Sequence, residues 1–179
     1  MPNRPDGVTV RRLDPDDAAA AVPALAELLI DCVEGGASVS FMPPMTTEKA
    51  IHFWTMVAQG VKHGERALLV AEEGDGRIVG TVQLVLALPE NQPHRADVAK
   101  MLVARHARRR GIARRLMEAV DAAARDEGRT LLVLDAVTDG DAARLYARVG
   151  WQRVGDIPNF ALMPDGAFCS TTYFYKAIG

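Results

Sequence analysis

The sequence predicts an α/β (α+β) fold: one mixed, mostly antiparallel sheet with a single parallel, splayed strand pair and helices on both faces. Three observations carry this reading. Short apolar runs alternate with longer segments of helical periodicity, the pattern of a sheet covered by helices. The runs Arg66–Glu72 and Arg77–Leu88 are joined by Glu73-Gly74-Asp75-Gly76, a hairpin turn signal that makes them antiparallel. His94–Ala104 reads as a strand, Gly111–Glu127 as a helix and Leu131–Leu134 as a strand, a crossover that makes the two strands parallel.

Val8–Leu13 alternates as a first strand. Asp14, Asp16 and Asp17 then offer N-cap chemistry for a helix over Ala18–Val33. Pro23 kinks that helix or marks its proper start, and Gly35-Gly36 ends it. The loop Gly36–Pro44 presents Phe41 and Met42 among small residues and prolines. Thr46 or Thr47 caps a second helix reaching about His63, with Glu48 in its first turn. After the hairpin and the third strand, Leu116, Val120 and Ala123 or Ala124 mark the apolar stripe of the Gly111 helix, which Gly128 closes. Leu131–Leu134 is continuously apolar, as a strand buried on both faces reads, and ends in Asp135. A short helix over Asp141–Val149 and strands over Gly150–Gly155 and Thr171–Lys176 complete the order, with a Pro/Asn/Gly-rich loop over Ile157–Cys169. The whole of residues 1–179 reads as one domain.

Composition narrows the function. With 49% hydrophobic and 25% charged residues, the chain has enough apolar surface for one sizeable core. A net charge of −2 gives no global attraction to nucleic acid or membranes. Two cysteines, Cys32 and Cys169, provide neither a disulfide framework nor a zinc site. No apolar signal core or membrane-length run is present, so the expectation is a cytoplasmic protein without a membrane partner. His52 and His63 lie on one helix but about 16 Å apart, too far to share a metal. Neither cysteine has a His-Asp setting for nucleophilic catalysis, and no metal is expected.

Charge is concentrated locally. Arg105, Arg108, Arg109, Arg110, Arg114 and Arg115 crowd the start of a helix. That end already carries unpaired N–H groups and the positive pole of the dipole. Gly111 has no Cβ, and Ala113 is nearly as small, so backbone can approach a ligand closely. Successive amides there cradle phosphate, and arginines add bidentate donors. The turn also follows a parallel strand, at the end where ligands bind. A diphosphate fits in charge and size. The competing reading is a solvated basic helix end stabilised by acidic neighbours.

Arg108-x-x-Gly111-x-Ala113, following Ala99–Ala104 (AKMLVA), resembles the acetyl-coenzyme A loop Arg/Gln-x-x-Gly-x-Gly/Ala of the GNAT superfamily of N-acetyltransferases. Ala142–Gly155 (AARLYARVGWQRVG) resembles that family's Ala-x-x-x-Tyr…Gly-Phe segment. Gly35–Met42, His94–Val103, Val154–Gly166 and Thr171–Lys176 further resemble the tabtoxin-resistance branch. The resemblance implies a GNAT-like fold, acetyl-CoA as co-substrate and acetyl transfer by direct attack on the thioester. It implies a small, amino-acid-like amine as acceptor, a toxin or antibiotic among the candidates. The coenzyme would lie on Arg108, Arg109 and Arg110 entering the turn, and on Gly111, Ile112, Ala113 and Arg114 opening the helix. A bulge near Met101, Leu102 and Val103 would free a backbone N–H to polarise the carbonyl. Many family members have asparagine where this chain has Asp139, which leaves its coenzyme contact open.

The implied chemistry needs a neutral amine. An alkylammonium of pKa about 10.4 is neutral only about once in 2,500 molecules at pH 7, a deficit of about 4.6 kcal/mol. Asp97 and Asp135 are the candidate bases or ammonium grips. The tabtoxin-resistance branch carries glutamate at the first position; the shorter aspartate favours a bridging water. The competing readings are an Asp97 ion pair with Arg95 or Lys100 and a loop-ordering role for Asp135. Tyr146 is the candidate acid for the departing sulfur, since a phenol of pKa about 10 exceeds a thiol of about 8.5; otherwise it is a packed aromatic. Ser38, Phe41 and Met42 belong to the acceptor side, and Phe41, Met42 and Trp54 either wall a pocket or simply pack. Three alternatives stand beside this reading. One is acetylation of a protein N-terminus or lysine. Another is a nucleic-acid-binding module built on Arg105–Arg115, against which counts the lack of a basic stripe with interleaved aromatics. The third is a non-catalytic coenzyme sensor. Thr171–Lys176 is a candidate strand for pairing or swapping between subunits in a homodimer.

Overall fold

A computed structural model describes residues 7–179. Asp14 accepts the Asp17 amide at 2.8 Å and starts helix α1 (Pro15–Ala20), directly after strand β1 (Thr9–Arg12). The helix stops at Ala21. Pro23 then sits in the first turn of α2 (Val22–Glu34), where its missing N–H leaves no bond unmade. Pro23 thus restarts a helix rather than kinking one. Thr46 caps α3 (Thr47–Lys62) by accepting the Lys49 amide at 3.2 Å. Replacing it, Thr46→Ala, is expected to lower stability by about 1 kcal/mol, read from the denaturant midpoint.

The remaining elements are β2 (Arg66–Glu72), β3 (Ile78–Val85), β4 (Arg95–Val103), α4 (Ile112–Asp126), β5 (Leu131–Val137), α5 (Asp141–Arg148), β6 (Gln152–Leu162) and β7 (Phe168–Ala177). They form one seven-stranded sheet in the order β1-β2-β3-β4-β5-β7-β6. Among the described strands only β4 and β5 run parallel; the other neighbours are antiparallel. Helices cover both faces. A Cβ on Gly80 of β3 would stand 3.0 Å from Leu116 and 3.1 Å from Ile112 of α4. Gln83, an odd number of residues along β3, faces the other way and accepts from Arg66, whose stem lies against Gly60 of α3.

Two features of the sheet position the site. First, β4 and β5 pair only from Arg95–Asp97 to Leu131–Val133, and beyond that register the strands part. Second, β3 takes two steps from Thr81 to Gln83 while β4 takes three from Ala99 to Leu102. This bulge includes Lys100, whose φ is +52°.

The C-terminal region departs from expectation. Ile157–Cys169 is not a loop: strand structure extends to Leu162 and resumes at Phe168. The turn between them is tight, with the Met163 amide donating to Ala167 and the Gly166 amide to Met163, both at 2.8 Å. Pro158 and Asn159 mark a register shift between Ile157 and Ala161, not a break. An edge strand tolerates the missing proline N–H, and Asn159 adopts φ +53°. Thr171–Lys176 is likewise not an edge. It lies in β7 between β5 and β6, so its backbone is paired on both sides within the chain and offers no free edge for adding a strand. The open edge on that side is β6. Strand β3 ends at Val85 rather than Leu88, because the Leu86 and Ala87 amides turn back onto the Glu65 carbonyl at 2.8 and 3.1 Å.

Candidate active site

The fork between β4 and β5 organises the site. Asp97 is the last residue of β4 in register with β5, opposite Val133. Asp135 lies two residues beyond Val133 and therefore on the same face. Arg95 forms an ion pair with Asp97. The Thr171 hydroxyl donates to Asp135 Oδ2 at 2.8 Å and also lies 3.0 Å from the Ala136 carbonyl. Tyr173 stands opposite Asp135 in the β5–β7 ladder. Burial, then the charges of Asp135 and Asp97, raise its phenol above the ordinary pKa. The two carboxylates and Tyr173 thus form one electrostatic cluster.

Tyr146 approaches from the other face. It lies on α5, with ring centroids 6.0 Å from Trp151 and 5.9 Å from Phe174. Phe174 alternates with Tyr173 along β7, which sets Tyr146 across the sheet from the carboxylates. Burial foremost, and the Asp135 charge second, push the Tyr146 phenol well above its ordinary value. Among the described residues none hydrogen-bonds its hydroxyl. The ring is packed and the phenol holds its proton firmly, so the packing and donor readings are compatible.

At the arginine-rich turn, Gly111 has φ +75° and precedes α4, whose N-terminus has no side-chain cap. Among the described residues nothing beyond its chain neighbours lies within 4 Å of where a Gly111 Cβ would stand. The first-turn amides of Ile112, Ala113 and Arg114 have no hydrogen-bond partner among the described residues. Most of the arginines are engaged within the chain. Arg105 pairs with Asp31 at 2.7 Å, Arg110 with Glu73 at 2.6 Å and Arg114 with Glu118 at 2.9 Å. Arg115 donates to the Val8 carbonyl. Arg108 Nε lies 3.4 Å from the Val103 carbonyl, and Arg109 takes φ +62°. Asp139, exposed and at φ +59°, is engaged through its backbone carbonyl, which accepts from Arg144 at 2.6 Å. Met101, Leu102 and Val103 complete β4 beyond the bulged Lys100.

On the carboxylate side, the Ser38 hydroxyl donates to the Leu162 carbonyl at 3.2 Å and lies 3.9 Å from Cys169 Sγ. Phe41 meets Phe53 edge to face at 5.1 Å, and Phe53 meets Trp54 at 5.0 Å. The Met42 carbonyl accepts from Lys49 at 3.2 Å. Cys32 is buried, which pushes its thiol up to about 11 and makes it a poor nucleophile.

Besides Lys100, which entered only as an alternative ion-pair partner for Asp97 where Arg95 makes the pair, several residues near the fork escaped sequence reasoning: Ser40, Phe53, Thr171 and Tyr173. For the last two a signal existed, since alternation in Thr171–Lys176 puts Thr171 and Tyr173 on one face. No local pattern announces a lysine at a bulge.

The acetyltransferase (GNAT) domain model matches residues 64–153, a span that includes the fork, the glycine turn and Tyr146. An uncharacterized N-acetyltransferase from the hisH–hisA intergenic region of Azospirillum brasilense is 33% identical over 130 residues, 72% of this chain and 74% of its own. Among solved structures, a GCN5-related N-acetyltransferase from Kribbella flavida superposes with a TM-score of 0.79 at 23% identity, covering 97% of this chain and 99% of that one. YncA from Salmonella typhimurium, solved with its cofactor acetyl-CoA, gives a TM-score of 0.78 at 17% identity, with 96% and 94% covered. The two structures share the fold.

Proposed function

Since the chain belongs to the GNAT family of N-acetyltransferases, we propose that it transfers acetyl from acetyl-coenzyme A to the amine of a small, amino-acid-like acceptor by direct attack on the thioester. The observation that carries this reading is the fork: β4 and β5 leave each other after Asp97 and Val133, beside an uncapped helix N-terminus. Acetyl-coenzyme A supplies the activated acetyl group. The open amides at Gly111, Ile112, Ala113 and Arg114 and the side chains of Arg108 and Arg109 take its pyrophosphate. Arg110 and Arg114 serve mainly to hold the turn, through Glu73 and Glu118.

Asp135 and Asp97 receive the acceptor ammonium and take its proton, directly or through water. Arg95 keeps Asp97 oriented. A backbone N–H of Met101–Val103, beyond the bulge, polarises the carbonyl. Tyr146 Oη holds a proton for the departing sulfur. Because the neutral phenol is the donor form and burial raises its pKa, kcat is expected to show no falling limb from Tyr146 as pH rises to 10. A pH series at saturating substrates checks this.

A small acceptor is favoured over a peptide because Ser38 ties the 36–44 loop to the β6–β7 ribbon at Leu162, across the acceptor side. Both cysteines are free, which suits a reducing, cytoplasmic setting. No described helix is long and apolar enough to cross a membrane.

Calorimetry with acetyl-coenzyme A and with coenzyme A, followed by a thiol-release screen of amino acids, amine antibiotics, β-lactam amino acids and short peptides, tests the proposal. Binding of both coenzymes and turnover with small amines are expected; no binding by folded protein overturns it. Gly111→Val forces a β-branched residue to φ +75°, at about 1–2 kcal/mol. It is expected to raise KM for acetyl-coenzyme A about tenfold or more, with a smaller change in saturated kcat.

A further inference from the structure

The carboxylate face of the fork also holds two cations without a carboxylate of their own. Lys100, placed by the β4 bulge, donates from Nζ to Ser40 Oγ at 2.9 Å and lies 5.9 Å over the Phe53 ring. Arg66 donates to Gln83 Oε1 at 2.8 Å; Gln83 is fully buried and its Nε2 has no partner. Among the described residues, neither Lys100 nor Arg66 has a carboxylate within ion-pair distance. Three other half-buried cations are paired with carboxylates, while Arg129 is held by the Pro93 and Arg95 carbonyls. Lys176 pairs with Asp121 at 2.5 Å, Arg110 with Glu73 at 2.6 Å and Arg95 with Asp97. Burial foremost lowers the Lys100 pKa, the Asp135 charge opposes that, and Arg66 adds to it. Lys100, Arg66 and Asp135 therefore feel one another. Charge left unpaired in a partly desolvated place is unfavourable unless a ligand completes it.

We infer that Lys100, with the Ser40 hydroxyl beside it and Arg66 reinforcing its field, binds a carboxylate of the acceptor. The acceptor is then a zwitterion, with its ammonium at Asp97 and Asp135 and its carboxylate at Lys100. This rests on the proposed acetyl transfer for the role of the ammonium. The site is dipolar, and a free amino acid is complementary to it in a way that a simple amine or an amide is not.

The test compares free amino acids, their α-amides and the corresponding amines without the carboxylate, with wild-type protein, Lys100→Met and Lys100→Arg. Wild type is expected to favour acids by tenfold or more in kcat/KM. Lys100→Met should raise KM for acids about 10- to 100-fold while amides stay within about twofold. Lys100→Arg should recover part of the loss. Equal use of acids and amides by wild type overturns the inference, even if Lys100→Met fails to fold, and leaves acetyl transfer standing. So does a Lys100→Met variant that weakens both classes alike. A second arm measures binding of an N-acetylated amino acid by calorimetry in the presence of coenzyme A. Binding lost in Lys100→Met supports the carboxylate site even if no amine is turned over; absent or Lys100-independent binding overturns it.

Discussion

Tyr146→Phe is expected to lower kcat by about 10²- to 10⁴-fold, the usual contribution of a positioned acid, while KM for acetyl-coenzyme A changes little. The substitution is clean in structural terms. Phenylalanine keeps the ring against Trp151 and Phe174. The deleted hydroxyl has no hydrogen-bonding partner among the described residues, so no protein group is orphaned by its loss. Stability should stay within about 0.5 kcal/mol of wild type. A large fall in kcat at unchanged midpoint therefore reports chemistry. An unchanged kcat would make Tyr146 a packing residue only, and proton supply to the sulfur would then fall to water.

Gly80→Val is expected to give the largest loss of stability, about 1–3 kcal/mol or somewhat more, read from the denaturant midpoint. A Cβ on Gly80 would meet Leu116 at 3.0 Å, Ile112 at 3.1 Å and the Leu102 carbonyl at 3.2 Å. The first two are buried residues of α4, and the third is backbone of the bulged strand. Side chain and strand must both move to make room. Ile112 lies in the first turn of α4, so the same displacement shifts the amides beside Gly111. KM for acetyl-coenzyme A should rise together with the loss of stability. A variant of normal midpoint and normal KM would mean that α4 need not sit this close to β3.

Much of the scaffold was legible because the responsible forces act over a few residues. Asp14 and Thr46 cap their helices through amides three positions on. Gly111 reads as the point where backbone turns into a helix, and it takes a positive φ there. The placement of Asp97 and Asp135 on one face follows from strand periodicity once the parallel pairing is accepted. Composition misled at Ile157–Cys169, because Pro158 and Asn159 are read as loop residues whereas an edge strand accommodates both at a bulge.

The sequence by itself determined most of the elements, the parallel crossover and the residue types gathered at the fork, since helix caps, turn glycines and apolar periodicity are local. Only the tertiary structure decided which charges are spent on scaffolding and which stay available. Arg105 meets Asp31 from 74 positions away and Arg110 meets Glu73 from 37. Ser38 reaches Leu162 from 124. The exposure of Lys100 to Asp135 depends on one extra residue in β4 relative to β3, a mismatch defined only when the two strands are in register. Electrostatic partners and bulges are properties of segments brought together by sheet closure, and local propensity carries no information about them.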